Sequence, residues 1–225
     1  MLPKQTLSAM IAIIGVLFCS WAGAEDRHFL MNAQTMPTGE AARWSLMTNP
    51  QKYGYFQPVE ISLPSAGHVS FYQGSPQSPV LTQAPSQAGM MVGHTYRVRI
   101  SGMPEYPGVE LYPTIELLDR LHPPEGEAEN FPIPIELTRE EIQIVLQERM
   151  VTKVVYLEQP EFAVPFEQGA QIHVEDLPVK TNLIQAADER GRPMAIVRIG
   201  GRIPDPMSPN DEFYSRSPIK ISPAR

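Results

Sequence analysis

The sequence predicts a mainly β protein, an antiparallel β-sandwich of immunoglobulin-like or transthyretin-like type with one short α-helix near residues 138–150. Three observations lead to this prediction. Several short segments alternate apolar and polar residues with a period of two, as half-buried strands do. Turn residues separate these segments, and the 24 prolines of the 225-residue chain favour many turns and short strands. Helical patterns do not alternate with the strands, which argues against a parallel α/β sheet.

The first predicted strand is FQPVEISLP (56–64), in which Val59, Ile61 and Leu63 alternate with polar residues. HVSFY (68–72) follows a short turn, so we expect the two segments to pair as a hairpin. Residues 74–88 are expected to form a polar loop. The other predicted strands are HTYRVRISG (94–102), GVELYPTIELLDRL (108–121), VTKVVYLE (151–158), QIHVEDL (171–177) and GRPMAIVRIGG (191–201).

Charged residues share the polar parity of these strands. Glu116 takes the parity opposite to the apolar residues of its strand, and Arg198 does the same in the last strand. Pro113 falls on the apolar parity and has no N–H to donate to a neighbouring strand. It therefore predicts a bulge or an edge position for this strand.

One segment, IELTREEIQIVL (135–146), concentrates three carboxylates, Glu136, Glu140 and Glu141. A carboxylate site is one interpretation, and a helix start is the other. Thr138 with Glu141 forms the Thr-x-x-Glu pattern of a capping box, and Leu137 with Ile142 is spaced for a hydrophobic staple. The helix start accounts for the segment. The expected buried stripe is Ile142, Val145, Leu146 and Met150.

The chain divides into four predicted regions. Residues 1–24 resemble a signal peptide, with Lys4, an apolar run over 7–18 and Ala22-Gly23-Ala24 as the cleavage pattern. The apolar run is short for a bilayer core of about 30 Å, and a retained anchor is the alternative. Residues 25–52 are predicted to be an extended arm with one short helix around 39–47. Residues 53–201 form the sandwich domain, and 202–225 form a disordered tail rich in Pro and Ser.

Composition argues against several function classes. Cys19, the only cysteine, lies in the signal region, so the mature chain would have neither a disulfide nor a thiolate nucleophile. A net charge of −7 without a basic face argues against nucleic-acid binding. The sequence has no Gly-x-Ser-x-Gly motif, and its five histidines are widely spaced. We therefore predict no catalytic or cofactor-binding residue.

Two binding sites are considered. Carboxylates in an interstrand loop and its flank are Ca²⁺ ligands by type, which makes Asp119, Glu125, Glu127 and Glu129 candidates. No cofactor other than Ca²⁺ is expected. The aromatic residues Trp44, Tyr53 and Tyr55 are candidates for a carbohydrate platform, with packing at the sandwich edge as the alternative.

Four stretches carry a family resemblance: YFQPVEISLP, the long segment from YRVRISG to TREEI, VTKVVYLEQP and GRPMAIVRIGGRIP. They resemble a family of uncharacterised secreted proteins from planctomycete bacteria, over residues 55–204. The resemblance implies an exported or cell-envelope protein. The family has no established activity, so the resemblance assigns no site residue.

We therefore expect an exported, non-enzymatic β-sandwich that acts as a structural or protein-interaction module at the cell envelope. It would be periplasmic, on the cell surface or extracellular, with no transmembrane segment after signal cleavage. Its expected partners are envelope proteins or further copies of the chain, bound through the arm and the tail. The alternatives are a polysaccharide- or Ca²⁺-binding module and a hydrolase with scattered carboxylates.

Overall fold

The computed structural model describes residues 32–73, 79–160, 174–205, 207, 213–214 and 216–221. The described strands are β1 (Phe56–Ser62), β2 (His68–Phe71), β3 (Val80–Gln83), β4 (Ser86–Met91), β5 (Thr95–Ser101), β6 (Thr114–Leu117), β7 (Ile133–Glu136), β8 (Val151–Glu158), β9 (Gly191–Ile199) and β10 (Ile219–Ile221). The described α-helices are α1 (Glu40–Thr48), α2 (Arg139–Leu146) and α3 (Leu183–Arg190), and short 3-10 helices cover Pro50–Lys52 and Ala128–Asn130. The protein is mainly β, as predicted.

The strands form two open sheets. The four-stranded sheet has the order β10-β4-β1-β7, and the six-stranded sheet has the order β3-β2-β5-β6-β9-β8. Neighbouring strands are antiparallel except β1 and β7, which are parallel. Val59 and Ile61 of β1 belong to the same buried cluster as Val98 and Ile100 of β5. Two sheets that share one core are consistent with a β-sandwich.

The predicted hairpin of the first two strands is wrong. β1 and β2 lie in different sheets, and β2 pairs with β3 and β5. The predicted polar loop over 74–88 is also wrong for its described part, because β3 and the start of β4 lie there. β3 is largely exposed, and β4 faces inward with the small residues Ser86 and Ala88 beside Met90. Neither strand carries the strong apolar alternation that reveals a strand in a sequence.

The six-stranded sheet is covered on both faces, which the sequence pattern did not indicate. A second, smaller buried cluster lies on the face away from the main core and contains Ala33, Ala41, Ala42, Leu118, Ile184 and Ile196. Its members come from the segment before α1, from α1 itself, from the residue that follows β6, and from α3 and β9. The core face and the opposite face of β9 are therefore both buried.

The arm and the tail are ordered where they are described. The short helix expected in the arm is confirmed as α1, and it packs through Ala41 and Ala42. In the segment expected to be a disordered tail, Phe213 is buried and β10 pairs with β4. The predicted disorder does not hold at these positions, because an aromatic side chain and a short strand find partners on the two sheets.

The helical predictions are confirmed in part. In the capping box of α2, Glu141 N donates to Thr138 Oγ1 at 3.2 Å and Thr138 N donates to Glu141 Oε2 at 2.9 Å. Ile142 and Val145 are buried as expected, whereas Leu146 and Met150 are exposed because the helix ends at Leu146. α3 was not predicted, since its apolar face relies on the small residues Ala186 and Ala187.

Pro113 lies just before β6 and interrupts the predicted strand. The alternative that this strand lies at a sheet edge is wrong, because β6 lies between β5 and β9.

The predicted strand over 171–177 begins outside the described residues, and its described part is not a strand. The predicted signal peptide lies outside the described residues. Within the described ranges, no helix combines the length and apolar character needed to cross a membrane.

Candidate functional site

A row of arginine and threonine residues crosses the face of the six-stranded sheet that points away from the main core. The alternation in β5 directs Tyr96, Val98 and Ile100 to the core, so Arg97 and Arg99 point to the opposite face. Across β5, β6, β9 and β8, the residues in register are Arg97, Thr114, Arg198 and Thr152. This face of the sheet is therefore polar at its centre.

The N-terminal segment covers one part of this face through a buried ion pair. Arg198 Nη1 lies 2.7 Å from Glu116 Oε2, and the two side chains are 9% and 0% exposed. Ala42 N donates to Glu116 Oε1 at 2.9 Å, and Arg198 Nε donates to Ala33 O at 3.0 Å. The main chain before and within α1 thus adds a hydrogen bond to each charged group, while Arg198 Nη2 is buried without a partner among the described residues.

The C-terminal segment covers another part of the same face. The ring of Phe213 packs edge-on against Tyr112, with centroids 5.3 Å apart, and the Arg97 guanidinium lies 4.2 Å from its centroid. Arg97 Nη1 donates to Phe213 O at 2.6 Å. Tyr214 contacts Tyr72, with a centroid distance of 4.5 Å. An aromatic cluster therefore fixes the tail beside Arg97.

A surface pocket of about 470 Å³ lies between the two covering segments. We call it the arginine pocket. Its floor belongs to β5 and β6, one wall is Thr38 before α1, and the other wall is the tail. The described lining residues are Thr38, Thr95, Arg97, Thr114, Phe213, Tyr214, Arg216 and Ser217. Four hydroxyl-bearing Thr and Ser side chains and two guanidinium groups thus surround the space.

Arg97 is held in the arginine pocket by several contacts. Its Nε and Nη2 atoms both lie 3.3 Å from Thr114 Oγ1, to which they donate. Burial, together with the nearby positive charge of Arg202, lowers the pKa of Arg97 below its usual value. Within the described ranges, Arg97 forms no ion pair with a carboxylate. The neighbouring Arg99 differs, because its Nη1 lies 3.4 Å from Glu110 Oε1.

A second exposed feature is the outer face of α1. Ala41, Ala42 and Ser45 of this helix are buried against the sheet. Trp44 and Met47, three positions apart and hence on one face, are 48% and 62% exposed. We call this pair the Trp44–Met47 face. Most surface helices bury their large apolar residues, whereas α1 exposes two of its large apolar side chains.

The aromatic residues that are candidates for a carbohydrate platform differ in their exposure. Trp44 belongs to α1, and Tyr53 is 73% exposed in the turn after residues 50–52. Tyr55 is partly buried against the main core, and the Arg120 guanidinium lies 4.7 Å from its ring centroid.

The candidate Ca²⁺ ligands do not share one environment. Asp119 is buried, with Lys52 Nζ at 2.9 Å and Arg192 Nε at 3.6 Å from its Oδ2 atom. Glu125, Glu127 and Glu129 are exposed in the loop that follows β6. Over the described ranges, no group of three or more His, Cys, Asp or Glu residues is placed to hold a metal ion.

Two of the three glutamates around α2, Glu136 and Glu141, contact Lys153 of β8. Glu141 caps the helix and also lies 2.9 Å from Lys153 Nζ of β8. The backbone carbonyl of Glu136, not its carboxylate, contacts the same ammonium group.

The arginine pocket is not apparent from the sequence pattern. The alternation of β5 placed Arg97 on the polar face, but its neighbours come from β6, the N-terminal segment and the tail. The pairing of Arg97 with Thr114 depends on strand register, which the sequence did not specify. Phe213 and Tyr214 are adjacent aromatic residues in an otherwise polar segment, and this was the only available signal for the docked tail.

In comparisons with protein-family models, with curated proteins and with solved structures, nothing matches this chain.

Proposed function

We propose that the protein is an exported, non-enzymatic β-sandwich, of immunoglobulin-like or transthyretin-like type, that acts as a protein-interaction module at the cell envelope. The observation that supports the proposal is the exposure of the Trp44–Met47 face. The opposite face of α1 is already used to hold the helix on the sheet, while Trp44 and Met47 remain 48% and 62% exposed.

The chemistry of this face favours a protein as the partner. Trp and Met are enriched in protein interfaces, and Trp is among the residues that contribute most to binding energy. α1 is also anchored at two buried points. Ala42 N donates to Glu116, and Ser45 Oγ donates to Leu118 O at 2.6 Å. A rigid helix presents its outer side chains with little loss of conformational entropy on binding.

The test is site-specific crosslinking in the envelope of the producing cell. A photoreactive amino acid placed at Met47 should give a discrete protein adduct, whereas the same group at the exposed Val179 should not. Crosslinking at both positions to the same extent, or at neither, would contradict the proposal. The adduct at Met47 should disappear when Trp44 is changed to alanine, and it should persist when the adjacent exposed Arg43 is changed to alanine.

The second candidate is a polysaccharide-binding module that uses Trp44 and Tyr53, both of which are exposed aromatics. Screening on a glycan array distinguishes this candidate from the protein-interaction module. Specific glycan binding that is lost in Trp44→Ala and Tyr53→Ala would favour the carbohydrate function. Tyr55→Ala is the useful comparison, because Tyr55 is partly buried under Arg120.

A further inference from the structure

The arginine pocket has the volume of a small-molecule site, and most of its described lining residues are polar. Its volume of about 470 Å³ falls within the range of about 300–1,000 Å³ that is usual for ligand pockets. The floor is built on the regular strands β5 and β6, and the two walls come from opposite ends of the described chain. A site on paired strands holds its side chains more rigidly than a site built from loops alone.

The described residues that line the pocket carry positive charge, although the whole chain carries −7. Arg97 and Arg216 line it, and the Arg202 guanidinium lies 5.6 Å from the same Phe213 ring that Arg97 covers at 4.2 Å. None of the described lining residues is a carboxylate. The guanidinium groups of Arg97 and Arg202 lie beside the same ring and repel each other. This repulsion is one cause of the lowered pKa of Arg97. A bound anion would relieve this repulsion.

Arg97 is also held in one orientation. Thr114 Oγ1 accepts from two of its nitrogens, Phe213 O accepts from a third, and the Phe213 ring packs against the guanidinium plane. A guanidinium group carries five N–H donors, so donors remain for a ligand. A fixed, planar guanidinium binds a carboxylate or phosphate through two parallel hydrogen bonds.

We propose that the arginine pocket binds a small acidic ligand of about sugar size, with its carboxylate or phosphate on Arg97 and its hydroxyl groups on the hydroxyls of Thr38 and Thr114. The volume exceeds what a single inorganic anion fills, and the hydroxyl-rich walls match a polyhydroxylated molecule. This site is distinct from the Trp44–Met47 face, so the two proposals stand or fall separately.

Isothermal titration calorimetry with the full-length chain tests the ligand class. The probes are glucuronate, glucose 6-phosphate, glucose and inorganic phosphate at one ionic strength. We expect glucuronate or glucose 6-phosphate to bind, and the stronger of the two identifies the acidic group. Glucose should bind at least about tenfold more weakly, because it lacks the charged hydrogen bonds. Equal binding of glucose, or no binding of either acidic sugar, would overturn the proposal.

Two arginine variants test whether the acidic sugar binds at the floor of the pocket. Arg97→Lys keeps the charge but removes the planar fork, and it should weaken binding of the acidic sugar by about tenfold or more. Arg99→Lys is the matched control, because Arg99 shares the strand and the face but is paired with Glu110. The affinity of Arg99→Lys for the acidic sugar should equal that of the unchanged protein. Equal losses in the two variants would contradict the assignment.

Arg97 also holds the tail, so a loss of binding in Arg97→Lys needs a second test. Thr38→Val changes the opposite wall and leaves the contact between Arg97 and Phe213 in place. It should weaken binding by about threefold through the lost hydroxyl hydrogen bond, with an unchanged melting temperature. If Thr38→Val binds the acidic sugar as tightly as the unchanged protein does, Thr38 does not contact the ligand. Unchanged affinity in both Thr38→Val and Arg97→Lys would exclude the pocket.

Discussion

Glu116 and Arg198 illustrate how a buried charge depends on all its partners. Each group takes part in the ion pair and also binds the main chain of the N-terminal segment. A buried ion pair adds little net stability compared with apolar residues, but loss of one member leaves the other charged and unpaired. The pair is therefore a point at which one substitution has a large effect.

We expect Glu116→Gln to lower the free energy of unfolding by roughly 3–5 kcal/mol, because Arg198 would remain charged and buried. Urea denaturation at neutral pH measures the change. The double variant Glu116→Gln with Arg198→Met removes both charges and should recover much of the loss. A double variant that is less stable than Glu116→Gln alone would show that the packing of Arg198, and not its charge, dominates.

Buried tyrosines should make the protein sensitive to alkaline pH. Burial raises the pKa of Tyr72 from 10.0 to about 12, and burial also raises the pKa of Tyr96 and of Tyr112. A raised pKa in the folded state means that folding favours the neutral phenol. The stability that Tyr72 contributes is fully present below pH 10 and is lost as the pH rises towards 12.

We therefore expect the free energy of unfolding to fall by at least roughly 2 kcal/mol between pH 9 and pH 12. Tyr72→Phe should flatten part of this decline, because phenylalanine does not titrate. Urea denaturation at steps of one pH unit measures the slope. Tyr53→Phe is the control, since Tyr53 is exposed. If the free energy of unfolding of Tyr72→Phe falls as steeply between pH 9 and pH 12 as that of the unchanged protein, Tyr72 does not contribute to the alkaline sensitivity.

At the scale of single elements, α2 provides a direct test of local helix signals. Thr138→Ala removes the hydroxyl that accepts from Glu141 N, and we expect a loss of about 1 kcal/mol. Thermal or urea denaturation measures it. Gln143→Ala is the control, because Gln143 is an exposed position in the same helix, and its effect should stay within about 0.5 kcal/mol. Equal effects in both variants would mean that the cap adds nothing.

The elements that the sequence predicted are those with strong periodic signals. β1, β5 and β9 alternate apolar and polar residues, and α2 begins with a recognisable cap. β7 and β10 are short, and each depends on a partner strand that is distant in sequence, β1 and β4 respectively. Such pairing is set by tertiary contacts and leaves a weak local pattern.

The second covering layer explains why the polar face was not recognised as buried. Alternation shows which residues share a face, but it does not show what lies on that face. Glu116 and Arg198 have the parity of solvent-facing residues, and they are buried because α1 and the segment before it pack above them. The arginine pocket was unpredictable for the same reason, since its walls belong to both covering segments.

At the scale of the whole molecule, we expect the described part of the tail to contribute to stability. Phe213 is 7% exposed, and Tyr96 Oη donates to Pro218 O at 2.8 Å. Phe213→Ala should lower the free energy of unfolding by roughly 3 kcal/mol or more, as for other buried phenylalanines. Met207→Ala is the control in the same segment, because Met207 is 90% exposed.

Truncation extends this test to the whole tail. A chain that ends at Gly201 should be at least as destabilised as Phe213→Ala, because it also loses β10. If the shortened chain unfolds at the same urea concentration as the full one, the tail does not stabilise the sandwich. A synthetic peptide of residues 205–225 should restore stability if the tail can bind as a separate strand.

The Glu116–Arg198 pair also has a consequence for the order in which the chain is made. Ala33 precedes its partner Arg198 by 165 positions, and Glu116 precedes Arg198 by 82. A ribosome must therefore complete most of the chain before the first described residues can take their final place. Contacts this distant in sequence form slowly. Until β9 has been synthesised, Glu116 and the N-terminal segment lack Arg198, the buried partner that they share.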